Sequence, residues 1–121
     1  VTFFGAIAAT MKAGSAPVPG FSFSGVLTTT SASTPVTSAT RTVSGSGTAL
    51  FESIGGITVS VQYSKNGGAF ATITEGLTLA LTGGDTLAVR SDIAVAPNTT
   101  TFNIKDNSGG ALIEAVTLER T

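Results

Sequence analysis

The chain has no cysteine, no histidine and no tryptophan, and only one tyrosine among its 121 residues. Without cysteine there is no disulfide, no thiolate metal ligand and no thiol nucleophile. Without histidine the commonest general base, proton shuttle and metal ligand is missing. Without tryptophan, an aromatic platform for stacking a sugar ring is hard to assemble. Charge is also scarce. Lys and Arg number six against seven Asp and Glu, which is 11% of the chain and a formal net charge of −1. Six cations do not make a patch that neutralises a run of phosphates, so nucleic acid is not an expected partner.

The one markedly apolar stretch, Val1-Thr2-Phe3-Phe4-Gly5-Ala6-Ile7-Ala8-Ala9-Thr10-Met11, lies ahead of the first charge, Lys12. A secretory signal places its positive charge before the apolar run. The stretch is also too short and too rich in Gly and Ala to cross a bilayer. It reads as neither signal nor span, and no membrane partner is expected.

What remains is a chain of small polar residues, fifteen glycines and short apolar alternations. Its length is that of one domain, long enough to bury a core without staples. Residues 1–20 have no clear period. Pro17 and Pro19 impose extended backbone there, so this region reads as an N-terminal arm rather than a packed element. Phe3, Phe4, Ile7, Met11 and Val18 are its candidate partner-binding residues. Burying Phe3, Phe4 and Ile7 in a neighbour's groove would contribute about 1.5–3 kcal/mol each, before the cost of ordering the arm.

Residues 21–121 read as a β domain. In Ile57-Thr58-Val59-Ser60-Val61-Gln62-Tyr63-Ser64 the apolar residues fall on one face and the polar ones on the other, the clearest strand in the chain. Gly55-Gly56 reads as the break before it. Asn66-Gly67 favours positive φ at both central positions of a type I′ hairpin turn, with Phe70 to Thr74 returning antiparallel. Leu77, Leu79 and Leu81 alternate with polar or small residues. Gly83-Gly84-Asp85 then turns the chain before Leu87 and Val89. Thr29 to Pro35 reads as a loop. In the last strand, Glu114 shares parity with Leu112, Val116 and Leu118, which points to a bulge or a sheet edge. No 3.6-residue period bounded by caps occurs. The expected fold is all-β, a single antiparallel sandwich of about seven to nine strands.

Tyr63, Asn66-Gly67-Gly68, Phe70, Gly84-Asp85 and Leu87-Ala88-Val89-Arg90 resemble a "Y-x-x-N-G-G-x-F … G-D-x-V-x-V-R" pattern. That pattern occurs in immunoglobulin-like or fibronectin-like β-sandwich modules of bacteriophage structural proteins and bacterial surface proteins. The similarity runs roughly from Val43 to Leu118. It implies that Asn66, Gly67 and Gly68 make a hairpin, that Tyr63 and Phe70 fill the core, and that Gly84 and Asp85 shape a turn before the strand bearing Arg90. It also implies a non-enzymatic virion protein, most concretely a capsid decoration protein. The expected partners are a major capsid or tail protein and further copies of itself. The alternatives are a tail or neck accessory and a glycan-binding or adhesin-like module at a bacterial surface. No cofactor is implied.

Other chemistries have weaker anchors. The carboxylates are scattered over strands and turns, with no evident acid–base pair. Asp106-Asn107-Ser108-Gly109 offers oxygen ligands but lacks the spacing and closing Glu of a calcium loop. Lys65 or Lys105 with Asn103 or Asn107 would suit an isopeptide only in a buried apolar setting. Asn98-Thr99-Thr100 fits a glycosylation acceptor, relevant only in a eukaryotic secretory pathway. Arg90 has Asp85, Asp92 or an apolar surface under its stem as candidate neighbours.

Overall fold

The computed structural model describes residues 17–56 and 60–121. Alternation of apolar and small polar residues yields strands throughout, and no helix occurs among the described residues. The strands are β1 (Phe21–Phe23), β2 (Thr29–Ser31), β3 (Val36–Thr37), β4 (Arg41–Gly45), β5 (Gly47–Gly56) and β6 (Val61–Lys65). They continue with β7 (Ala71–Thr72), β8 (Leu77–Leu81), β9 (Thr86–Ser91), β10 (Asn98–Asp106) and β11 (Leu112–Arg120).

These strands form two sheets. One has the order β1-β4-β9-β6-β7, with β3 also paired to β9; the other has the order β2-β11-β10-β5-β8. The inward residues of both build one core. Val43, Val61, Leu87 and Val89 of the first sheet pack with Phe51, Phe102, Ile104, Val116 and Leu118 of the second. Phe51 lies at the middle of that layer. Its ring stacks on Tyr63 of the opposite sheet, with centroids 6.2 Å apart and planes 15° apart, and tilts against Phe102 beside it. The layers are also joined by a polar contact. Ser91 Oγ on β9 and Thr100 Oγ1 on β10 lie 3.0 Å apart, both fully buried. Each hydroxyl satisfies the other where no water reaches.

Several expectations need correction. The sandwich is not wholly antiparallel: β2 runs parallel to β11, with Leu118 opposite Thr29 and Arg120 opposite Ser31. The two strands lie near opposite ends of the sequence, so nearly the whole domain serves as their connection and no crossover helix is needed. The strand count is eleven among the described residues, because loops such as Thr29–Pro35 contribute two- and three-residue pairings. Gly55 and Gly56 are the last two residues of β5, paired with Thr101 and Thr100, so that strand runs two residues past Ile54 before it ends. The strand read as 57–64 begins in the described residues at Val61, while Ile57 to Val59 lie outside them. The bulge foreseen in the last strand is present, as a register shift where Lys105 faces Leu112 and Ile104 faces Glu114.

Candidate functional site

Phe3, Phe4, Ile7 and Met11 lie outside the described residues. The described end of the arm, Pro17 to Gly20, is exposed, and Val18 is 87% exposed. Where this segment meets the domain it is clamped. Asp106, only 4% exposed at the end of β10, accepts the Gly20 amide at 2.7 Å through Oδ2. Its Oδ1 accepts the Ser108 amide at 3.0 Å. That second bond is an Asx turn, the local structure that Asp favours two residues before its partner amide. Gly20 O accepts from Ser46 N at 3.2 Å, and Pro17 rests beside Gly109. One buried carboxylate therefore ties the arm's base to the β10–β11 hairpin, and its calcium-ligand reading gives way to this role.

The turn residues come together in a second cluster. Asn66 has φ 55° and Gly67 φ 72°, and Gly68 N donates to Lys65 O at 3.0 Å. Asn66 also bridges to the next turn. Its Oδ1 accepts from Thr86 N at 2.8 Å, and its Nδ2 donates to Asp85 Oδ1 at 3.1 Å. Asp85 Oδ2 accepts from Thr82 N at 2.8 Å, with Lys65 Nζ 3.7 Å away. The Thr82 amide first, then the Asn66 carboxamide and the Lys65 charge, hold the Asp85 carboxyl below the usual aspartate range.

Tyr63 is half-buried and reaches the core through Phe51. Phe70 does not fill the core, as the resemblance implied. After the Asn66-Gly67 turn, Tyr63 pairs with Ala71 rather than Phe70, one residue beyond the register of a two-residue loop. Phe70 is half-buried beneath Arg90, whose Cζ lies 3.9 Å from the ring centroid, a cation–π contact. Arg90 Nε donates to Gln62 Oε1 at 2.6 Å. Of its candidate neighbours, Arg90 takes the apolar surface.

Two glutamates have roles that the sequence did not reveal. Glu75 accepts the Ser53 and Ile54 amides at 2.9 and 3.0 Å, holding a bulge of β5 in which Ser53 has φ 58°. Glu114 accepts the Leu27 amide at 2.9 Å through each oxygen, and the Thr28 amide and hydroxyl through Oε2. The parity of Glu114 was a signal, but its partners are 86 and 87 residues away and leave no local trace. The lysines of the isopeptide reading are paired differently: Lys105 with Glu52 and Lys65 with Asp85, their side chains 31% and 34% exposed.

Asp85, Asp106, Glu75 and Glu114 therefore all accept main-chain amides. Beside Glu114 lies a cleft of ≈ 270 Å³ lined by Ser22, Phe23, Gly25, Val26, Ile113 and Glu114. Compared with models of known protein families, with curated proteins and with solved structures, the chain matches none of them.

Proposed function

We propose that the chain is a non-enzymatic structural protein of a bacteriophage virion, most concretely a capsid decoration protein whose immunoglobulin-like sandwich is attached through its N-terminal arm. One observation carries this reading: an exposed Pro17-Val18-Pro19 segment leaves a base fixed by Asp106 and Gly20, and beyond Lys12 the sequence it leads to is apolar, with no charged side chain from Val1 to Met11. Such an arm presents Phe3, Phe4, Ile7 and Met11 to a neighbour's groove, while the domain stays folded behind it. The use of four carboxylates on main-chain amides fits a scaffold, because these groups serve shape.

The immunoglobulin-like part of the reading draws on strand order. β1-β4-β9-β6 corresponds to A-B-E-D, and β11-β10-β5 to G-F-C. β8 departs from that scheme: it sits beside β5 but follows β6 and β7 in the chain.

Removing residues 1–16, with Pro17 to Gly20 and the Asp106 clamp retained, tests the proposal. Co-sedimentation with purified phage shells lacking the protein should be lost, while circular dichroism shows the same β spectrum. A truncated chain that still decorates shells refutes the anchoring role. Binding to tail tubes rather than shells would place the protein on the tail.

A further inference from the structure

The cleft beside Glu114 sits where both sheets are open at one side of the sandwich. β1 is the edge of its sheet. β11 is covered by β2 only from Leu118 to Arg120. Thr117 N donates to Thr28 Oγ1 at 3.1 Å, on the side away from β10. Main-chain groups alternate in direction along a regular strand, so the Ala115 amide points the same way, past the end of β2; the bulge between Leu112 and Glu114 ends that alternation before Ile113. Ala115 is exposed, and Thr28 Oγ1 approaches only its carbonyl, at 3.5 Å. Phe23, Val26 and Ile113 supply apolar walls to the cleft, and Val26 is 58% exposed. A strand-edge amide turned away from β10 beside an apolar cleft is a starting point for β-strand addition.

We propose that this edge receives the apolar N-terminal stretch, residues 3–8, of a second copy of the same chain, so that copies are linked arm to edge. The inference rests on the arm reading above and names one of its partners. Residues 1–16 end at Pro17, which lies against Gly109 of the β10–β11 hairpin, close to where the open length of β11 begins. Fully extended, sixteen residues reach about 50 Å, ample for a neighbouring molecule. Delivery to a second copy is favoured by Pro17-Val18-Pro19: two prolines restrict this segment to extended backbone, and Val18 stands out from the domain. The stretch Phe3 to Ala8 carries no charge and no proline, as a strand entering an apolar cleft requires.

The chain has no native cysteine, which makes crosslinking direct. Ala115→Cys on one copy is mixed with Gly5→Cys or Ala6→Cys on another, the two arm positions covering both strand parities. Under mild oxidation one of these mixtures should give a disulfide-linked dimer. In sedimentation velocity the unmodified chain should associate as concentration rises. The triple variant Phe3→Ser/Phe4→Ser/Ile7→Ser should weaken that association by about tenfold or more. Ala115→Pro removes an amide that β10 does not use and should do the same. Val26→Lys, at the exposed rim, checks the cleft without touching a strand. A chain that stays monomeric at all concentrations and forms no crosslink overturns the proposal. So does a doubly substituted chain that closes its disulfide within one molecule at high dilution. These assays contain no shell: lost exchange with arm-dependent shell binding would remove only this inference, while intact exchange with arm-independent shell binding would remove the decoration reading instead.

Discussion

At the scale of single residues, buried polar pairs decide more than their number suggests. Ser91 and Thr100 face each other between the layers with no exposure. Ser91→Ala alone strands the Thr100 hydroxyl and should cost about 1–3 kcal/mol. The double variant Ser91→Ala/Thr100→Val removes both polar groups and should recover most of that loss, which a urea double-mutant cycle would measure. Asp106→Ala leaves the Gly20 and Ser108 amides without their acceptor and should also cost about 1–3 kcal/mol. Asp85 sets a pH dependence. Its folded-state pKa lies below the ordinary aspartate value of 3.8, so its contribution to stability is complete above that value and fades as pH falls through the folded one. Acid unfolding of Asp85→Asn should therefore show a shallower loss below about pH 4 than the unmodified chain. An unchanged acid limb would mean the turn cluster is decorative. Ser91 shares the parity of Leu87 and Val89, but nothing in the sequence singled it out as buried. Its partner was invisible, because contacts across layers are set by packing rather than by spacing.

Elements show the same division between local and distant causes. The Asn66-Gly67 turn was legible because its cause is local: both residues must take positive φ, and few dipeptides do so cheaply. Nothing lies within 4 Å of where a β-carbon on Gly67 would stand. Gly67→Ala should therefore cost about 1–2 kcal/mol from backbone conformation alone, visible as a lower Tm with an unchanged spectrum. Gly56 was legible only in part, because its second cause is distant. A β-carbon there would stand 2.1 Å from Thr99 O. The glycine thus lets β10 approach β5 and is itself the last paired residue of that strand. The register after the hairpin failed likewise. A one-residue shift between Tyr63 and Ala71 moves Phe70 off the core and under Arg90, and no local pattern encodes that slip.

At the scale of the whole molecule, the all-β class and the two-layer core were legible, because a period of two recurs along the chain. The parallel edge pairing of β2 with β11 and the clamp at Gly20 were not, since each joins distant segments. The disposition of charge then bears on how the molecule meets others. Arg41 Nε donates to Val26 O, Lys65 pairs with Asp85, Arg90 covers Phe70, Lys105 pairs with Glu52, and Arg120 Nη1 donates to Ile93 O. The cations of the described residues are thus turned toward their own domain, and the net charge is only −1. Contact through the arm must then draw on apolar burial, which salt does not screen, rather than on ion pairs, which it does. Raising NaCl from about 0.05 to about 0.5 M should change shell binding or self-association by less than about threefold. Sulfate should strengthen both, because it favours burial of apolar surface. A fall of about tenfold or more over the same range would show that charges make the contact, and neither the arm nor the cleft beside Glu114 would then hold the molecules together.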